Sequence, residues 1–145
     1  GQVAYCDNSE YQILIQLNWC LDVHKGKLYA RARNKGVLVK MHRFIMRVKD
    51  PKIYVDHRDS DGLDNQKKNL RKCTPQQNQY NKGVYKNNTT GSKGVVYHKR
   101  NKSWDIQISC DKKRLYLSGF KSKKFASQIY NELAYVLYGS FASFN

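Results

Sequence analysis

An acid beside an imidazole, Asp56-His57, followed by two carboxamides, Asn69 and Asn78, is the cluster in this chain whose residue types suit chemistry on a charged substrate. Magnesium or manganese prefers hard oxygen donors and keeps positions open for water and for substrate phosphate. Asp56 and Asn78 supply two such oxygens. The imidazole of His57 has an ordinary pKa near working pH, so it can take a proton from an attacking water, an effect of about 10²–10⁴ in rate. The cation would stabilise charge developing on the scissile phosphate and on the departing 3′ oxygen. Asn69 would hold the surrounding loop or orient His57. The implied reaction is hydrolysis of a phosphodiester bond in nucleic acid, with one divalent cation, Mg²⁺ or Mn²⁺.

Four side chains separated in sequence need elements to bring them together. Ile53, Tyr54 and Val55 are β-formers that carry Asp56 and His57 out on the end of a short strand. Arg58 to Lys68 is polar and contains Gly62, which predicts a loop, and Leu70 to Thr74 returns as a second strand. Thr74-Pro75 then reads as a helix start, with a hydroxyl N-cap and proline at the first helical position; the helix runs from Gln76 to Asn81 and ends at Gly83. Asn78 falls about one turn into it. Asn65 lies inside the loop, where a local turn bond is its expected task. A calcium loop is excluded, because an EF-hand frame over Asp59, Asp61 and Gly62 would start on His57 and end on Lys68, where carboxylates are needed.

This β-loop-β-helix pattern with Asp56-His57, Asn69 and Asn78 resembles the HNH endonucleases of the ββα-metal fold, in the variant whose third motif residue is asparagine. Val55-Asp-His, Leu63-Asp-Asn, Asn69-Leu-Arg and, upstream, Met41-His-Arg-Phe-Ile are similar to the phage and group I intron homing branch. The resemblance implies Asp56 and Asn78 as metal ligands, His57 as general base and Asn69 as its supporting residue. By the same pattern His42 and Arg43 either touch phosphate or anchor the segment that precedes the site.

Composition points to the same partner. The 145 residues carry 27 Lys and Arg against 11 Asp and Glu, a net charge of +16 that favours a polyanion. About eight excess positive charges lie on either side of residue 82, so both halves are expected to touch the phosphate backbone of double-stranded DNA. No apolar stretch approaches the roughly 20 residues that span a bilayer and no signal peptide is read, which argues against a membrane. Cys6, Cys20, Cys73 and Cys110 form no CxxC pair, so the sequence indicates no structural zinc and no disulfide framework. Reduced thiols fit a cytoplasmic protein, and the resemblance implies one encoded by a phage or intron and acting in the host cell. The sequons at Asn87, Asn88 and Asn101 read as accidental in this context.

Three organisational segments follow: residues 1–82 as the nuclease domain with an N-terminal hairpin extension, 83–92 as a polar linker, and 93–145 as a second domain. In the last, Trp104, Ile106 and Ile108 alternate with Asp105, Gln107 and Ser109, and Arg114 to Ser118 repeats the alternation, burying Leu115 and Leu117. With Lys93 to Tyr97 this predicts a three-stranded antiparallel sheet. Ser122 caps a helix to Tyr138, stopped by Gly139, whose apolar stripe of Phe125, Ile129, Leu133, Val136 and Leu137 covers the sheet. Lys93-Gly-Val, Arg114-Leu-Tyr-Leu-Ser-Gly-Phe and Tyr138-Gly-Ser-Phe-Ala resemble the APETALA or ethylene-response-factor type of DNA-binding domain. That resemblance implies a sheet in the major groove and, by position, Lys93, His98, Arg100, Gln107, Arg114 and Tyr116 as DNA contacts. Val96, His98 and Ser109 stand where the plant proteins have arginine, so target preference does not carry over.

The first forty residues predict a short apolar segment, a hairpin and a helix starting near His42, with Tyr11 and Trp19 in the core. Arg31, Arg33, Lys35 and Lys40 either line DNA or form a solvated stripe. The abrupt start suggests more chain upstream. The whole reads as an α+β protein, monomer or weak dimer: a site-specific, metal-dependent DNA endonuclease that nicks or cuts both strands. The rival readings are a non-catalytic DNA-binding regulator that kept the nuclease scaffold, and an RNA-binding protein.

Overall fold

A computed structural model describes all residues, Gly1–Asn145. The chain is α+β, with small antiparallel sheets and four helices, and it divides into two compact units, Gly1–Asn78 and Gln79–Asn145. No helix is long and apolar enough to cross a membrane.

The first unit opens with helix α1 (Asn8–Leu14) and then a three-stranded sheet, β1 (Cys20–His24), β2 (Lys27–Asn34) and β3 (Val37–Lys40), in that spatial order. The expected hairpin is β2–β3; β1 adds a third strand that the sequence reading did not foresee. Tight turns at Lys25-Gly26 and Lys35-Gly36, all four at positive φ, join the strands, as a two-residue hairpin requires. β3 runs directly into helix α2 (Met41–Ile45). Leu14, Ala30, Met41, Ile45 and Leu70 form the buried core, with Trp19, Phe44 and Val55 against it. Trp19 therefore packs as expected and donates its indole N–H to the Leu14 carbonyl at 2.8 Å. Tyr11, by contrast, is exposed, beside rather than on the Glu10–Leu14 row by which α1 faces inward. Strands β4 (Tyr54–His57) and β5 (Leu70–Cys73) pair antiparallel, and helix α3 (Pro75–Tyr80) follows. Thr74 and Gln77 cap the start of α3 reciprocally: Gln77 N–H donates to Thr74 Oγ1 at 3.1 Å and Thr74 N–H to Gln77 Oε1 at 2.9 Å.

The second unit is the antiparallel sheet β6 (Val95–His98), β7 (Ser103–Cys110) and β8 (Lys113–Phe120), with helix α4 (Lys123–Tyr138) on one face. Ser122 Oγ accepts the Phe125 N–H, and Gly139 ends the helix at φ 54°. The buried face of α4 differs from the expected stripe: Ala126, Tyr130 and Ala134 face the sheet, flanked by Ile129 and Leu133, while Phe125 and Val136 are exposed. The helix lies too close to the sheet for a row of large side chains. A Cβ on Gly94 would meet the Tyr130 ring at 2.2 Å and the Gln107 carbonyl at 2.6 Å. Ile106 and Ile108 fill the core from β7 as the alternation predicts, and Leu117 joins them from β8, but Leu115 is exposed. Residues 83–92, read as a linker, lie within this unit, where Asn88 Oδ1 accepts from Thr90 and Gly91 N–H and Thr90 Oγ1 donates to the Val95 carbonyl at 2.8 Å.

Candidate active site at the end of the β4–β5 hairpin

Cross-strand register sets the site. Asp56 stands opposite Arg71 and His57 opposite Leu70, so the acid and the imidazole leave adjacent positions of β4 toward opposite faces. Both are buried, 7% and 5% exposed. Arg71, equally buried, donates from Nε at 2.9 Å and from Nη2 at 2.7 Å to the same oxygen, Asp56 Oδ2. This fixes the carboxylate. Its charge is felt nearby: burial first, and then Asp56, raise the pKa of Tyr29 and also that of Cys73, the latter to about 11.

His57 sits among His42, Tyr29 and Asn65. The His42 and His57 rings meet edge to face with centroids 4.9 Å apart, and Tyr29 tilts against both at 5.7 and 6.1 Å. Asn65 is completely buried; its Nδ2 donates to the Leu63 carbonyl at 2.9 Å, which turns Oδ1 toward His57 Nε2 at 3.4 Å. An acceptor there selects the tautomer with its hydrogen on Nε2 and the lone pair on Nδ1. Burial lowers the His57 pKa, partly opposed by the Asn65 bond and by Asp59, Asp56 and Asp61. His42 is lowered further, to about 3, by burial and then by His57, Lys40 and Arg43. Both rings are consequently neutral at pH 7, the state in which an imidazole accepts a proton.

The twelve-residue loop from Arg58 to Asn69 is built from side-chain turns. Asp59 Oδ1 accepts Asp61 N–H at 2.8 Å, Asp61 Oδ1 accepts Leu63 N–H at 2.9 Å, and Asp64 Oδ1 accepts Gln66 N–H at 3.1 Å. The carboxylates that superficially suggested a calcium loop are thus turn formers. Asn69 closes the loop: Nδ2 donates to Asp59 Oδ1 and the Asp64 carbonyl, both at 2.9 Å, and Oδ1 accepts Asp59 N–H at 3.2 Å. Of the two tasks considered for Asn69, its bonds serve loop closure, while the carboxamide at His57 belongs to Asn65. The chain's first residues brace the loop from outside, with Tyr5 N–H on the Leu63 carbonyl at 2.9 Å, Asn65 N–H on the Tyr5 carbonyl at 2.8 Å, and Lys67 N–H on Asp7 Oδ2 at 2.7 Å. Inside, Gly62 presses on β2, where a Cβ would meet the Leu28 carbonyl at 2.2 Å and the Tyr29 ring at 2.6 Å.

The other expected residues are placed as follows. Asn78 is half-buried on α3, the element after the strand that carries Arg71. His42 lies inside, 6% exposed, with Nδ1 buried and without a hydrogen-bond partner, and Arg43 donates to the carbonyls of Ile53 at 2.7 Å and Asp50 at 2.8 Å. Both therefore anchor the segment before the site in this conformation. In the second unit the Lys93 ammonium turns to the carbonyls of Tyr80 at 2.8 Å and Lys82 at 2.6 Å, and burial lowers its pKa. Arg100 and Arg114 are exposed and Gln107 is half-buried. Tyr116 and His98 converge on the buried Asp105, which accepts the Tyr116 hydroxyl, the Gly119 N–H at 3.1 Å and the His98 Nε2 at 3.2 Å. Sequence reasoning missed Tyr29 and Arg71 as site members. The one available signal for Arg71 was its place two residues after Asn69, on a strand that had to pair with the one bearing Asp56.

These elements define a small basic α+β protein with a buried, neutral histidine and a clamped carboxylate at one hairpin end. No family profile matches the chain, and no solved structure matches it. It is 32% identical, over its whole length and 75% of the relative, to an uncharacterized HNH endonuclease of Acanthamoeba polyphaga mimivirus. It is 30% identical to Protein 3.8 of Escherichia phage T7, over 63% of this chain and 74% of that protein. The chain belongs to the HNH endonuclease family.

The chemistry of the donor set suits a hard divalent cation. No group of three or more His, Cys, Asp or Glu forms a metal cage; the oxygen donors expected from the sequence are the Asp56 carboxylate, one oxygen of which Arg71 binds, and the Asn78 carboxamide. A small oxygen set completed by water and substrate phosphate is the usual way magnesium is held.

Proposed function

We propose that this protein is a site-specific, divalent-metal-dependent DNA endonuclease in which His57 is the general base and Asp56 and Asn78 hold the cation. The observation that carries the reading is the buried His57, held through Nε2 by Asn65 and next in sequence to the clamped Asp56, in a chain of the HNH endonuclease family. When bound, the cation supplies positive charge against the phosphate and the leaving 3′ oxygen. His57 takes the proton of the attacking water on Nδ1, because its other nitrogen carries the hydrogen shared with Asn65. Arg71 keeps the Asp56 carboxylate from rotating, and Asn69 keeps the loop closed around Asn65. The name of the mimivirus relative and the +16 charge support DNA as substrate. The second unit places the enzyme on its target through the β6–β8 sheet, as its resemblance to APETALA-type domains implies.

The test is incubation of supercoiled plasmid with the protein and Mg²⁺ or Mn²⁺, beside His57→Ala. The unaltered protein relaxes or linearises the plasmid, EDTA stops it, and the variant loses about 10²–10⁴ in rate while still binding DNA. Cleavage by His57→Ala at the unaltered rate removes His57 from the mechanism. Tight binding without metal-dependent cleavage by either protein would instead identify a DNA-binding regulator.

A further inference from the structure

The face of the first sheet that carries Tyr29 also carries a row of cations. In the antiparallel register Asp22 stands opposite Tyr29, Cys20 and Lys40 flank Arg31, and Leu38 stands opposite Arg33. Opposed residues and residues two apart on one strand share a face, so Tyr29, Arg31, Arg33 and Lys40 point the same way. Lys40 Nζ lies 4.5 Å from the Tyr29 ring centre and 3.6 Å from Asp22. Tyr29 in turn packs on His42 and His57. A chain of contacts thus leads from His57 through Tyr29 to the cations along β2.

Arg31 is the centre of that surface. Its Nη1 pairs with Asp22 at 3.4 Å, while its Nε is buried and has no hydrogen-bond partner. Arginine presents Nε and Nη2 as a parallel pair of donors whose spacing matches two oxygens of a phosphate. Asp22 occupies the other end of the guanidinium, so the Nε edge is left wanting an acceptor. Arg31 lines a cavity of about 510 Å³ together with Gln16, Asn18, Cys20, Arg33 and Leu38. Such a cavity has room for a phosphate with part of its sugar, and Asp22 offsets one of the three cations on this face rather than all of them.

We infer that the Arg31–Arg33 face of β2 is a second phosphate track, on which Arg31 clamps one backbone phosphate of bound DNA through its Nε edge and Arg33 meets the next. At the strand's rise, Arg31 and Arg33 lie about 7 and about 14 Å from Tyr29. The phosphates they hold are therefore neighbours of the one presented to His57, on one side of the cut. The track rests on the nuclease reading for its substrate, but its energetics are those of binding.

Binding in a His57→Ala background without divalent metal tests it, with labelled duplex DNA followed by anisotropy across a potassium chloride series. Arg31→Gln and Arg33→Gln each lower the slope of log affinity against log salt by about 0.9, the loss of one phosphate contact, while the same change at Lys49 leaves that slope alone. Arg31→Lys keeps the charge and a partner for Asp22, and it weakens binding several-fold at unchanged slope because the paired donors are gone. Unaltered slopes for both glutamine variants, or unaltered affinity for Arg31→Lys, overturn the track. A folded RNA of equal length that displaces the duplex overturns the choice of DNA. Plasmid cleavage by the otherwise unaltered chain, measured separately, keeps the two readings apart: cutting with unchanged slopes sinks only the track, and changed slopes without cutting sink only the nuclease.

Discussion

Two imidazoles pressed edge to face inside a basic protein stay neutral at a cost that pH exposes. His42 has an ordinary pKa of 6.5 and about 3 when folded. Below pH 6.5 the unfolded chain takes up a proton that the folded chain refuses, so stability present above pH 6.5 is lost progressively as pH falls toward about 3. Each pH unit in that window removes about 1.4 kcal/mol for the one proton. His42→Phe keeps a ring against Tyr29 and His57 without the titrating nitrogen; urea melts at pH 7 and pH 4.5 should show a smaller loss for it than for the unaltered protein. The Asp56–Arg71 pair gives a second residue-scale expectation. Arg71→Met leaves a buried carboxylate without its cation, a loss of about 3–5 kcal/mol measured by denaturant unfolding. Asp56 and His57 were legible in the sequence because they are adjacent and follow a β-forming run. Tyr29 was not, because nothing in a strand reading LYARAR tells which face meets a histidine nearly thirty residues later. Asn65 was seen but read only as a turn former; its Nδ2 does make the turn bond, and its other end reaches His57.

The loop between β4 and β5 behaves as a rigid element although it contains neither helix nor strand. Three aspartate turns, the Asn69 closure and the seat of Gly62 against Tyr29 set its shape. Gly62→Ala forces a methyl into the Leu28 carbonyl and the Tyr29 ring; overpacking of this kind costs about 1–3 kcal/mol. Because Tyr29 is the ring that must yield, cleavage should fall along with the melting temperature, whereas Gly36→Ala, at a turn with open space, should touch stability alone. At this scale the sequence was a good guide to α3 and α4, whose starts carry hydroxyl caps, and to β7, whose alternation is strict. It was a poor guide to β1, where the alternation of Leu21 and Val23 with Asp22 and His24 spans only five residues and leaves both apolar side chains exposed. It also misassigned the inner face of α4, since large apolar residues marked the stripe in sequence while close approach to the sheet demanded alanine.

Across the whole molecule, positive charge is spread over both units, about eight excess cations on either side of residue 82. Exposed Arg114 on β8 belongs to the second unit's expected reading face. Arg114→Gln should reduce the salt slope of DNA binding by about 0.9 and leave the single-turnover cleavage rate on saturating DNA unchanged, since it is remote in sequence from every residue proposed to act in the reaction. A fall in that rate would mean the second unit takes part in catalysis rather than placement. The surplus of charge was legible from composition; its distribution over the faces was not, because Lys93 and Arg43, which looked like contacts, spend their donors on backbone carbonyls.

The bracing of the loop by Tyr5 and Asp7 ties one stretch of backbone to another made some sixty positions later. During translation, then, His57 has no finished surroundings until the chain has emerged past Lys67 and the stretch around Tyr5 and Asp7 has come to meet it. A pocket assembled in that order is completed late, and deleting the stretch around Tyr5 and Asp7 would loosen the seat of a histidine some fifty positions away.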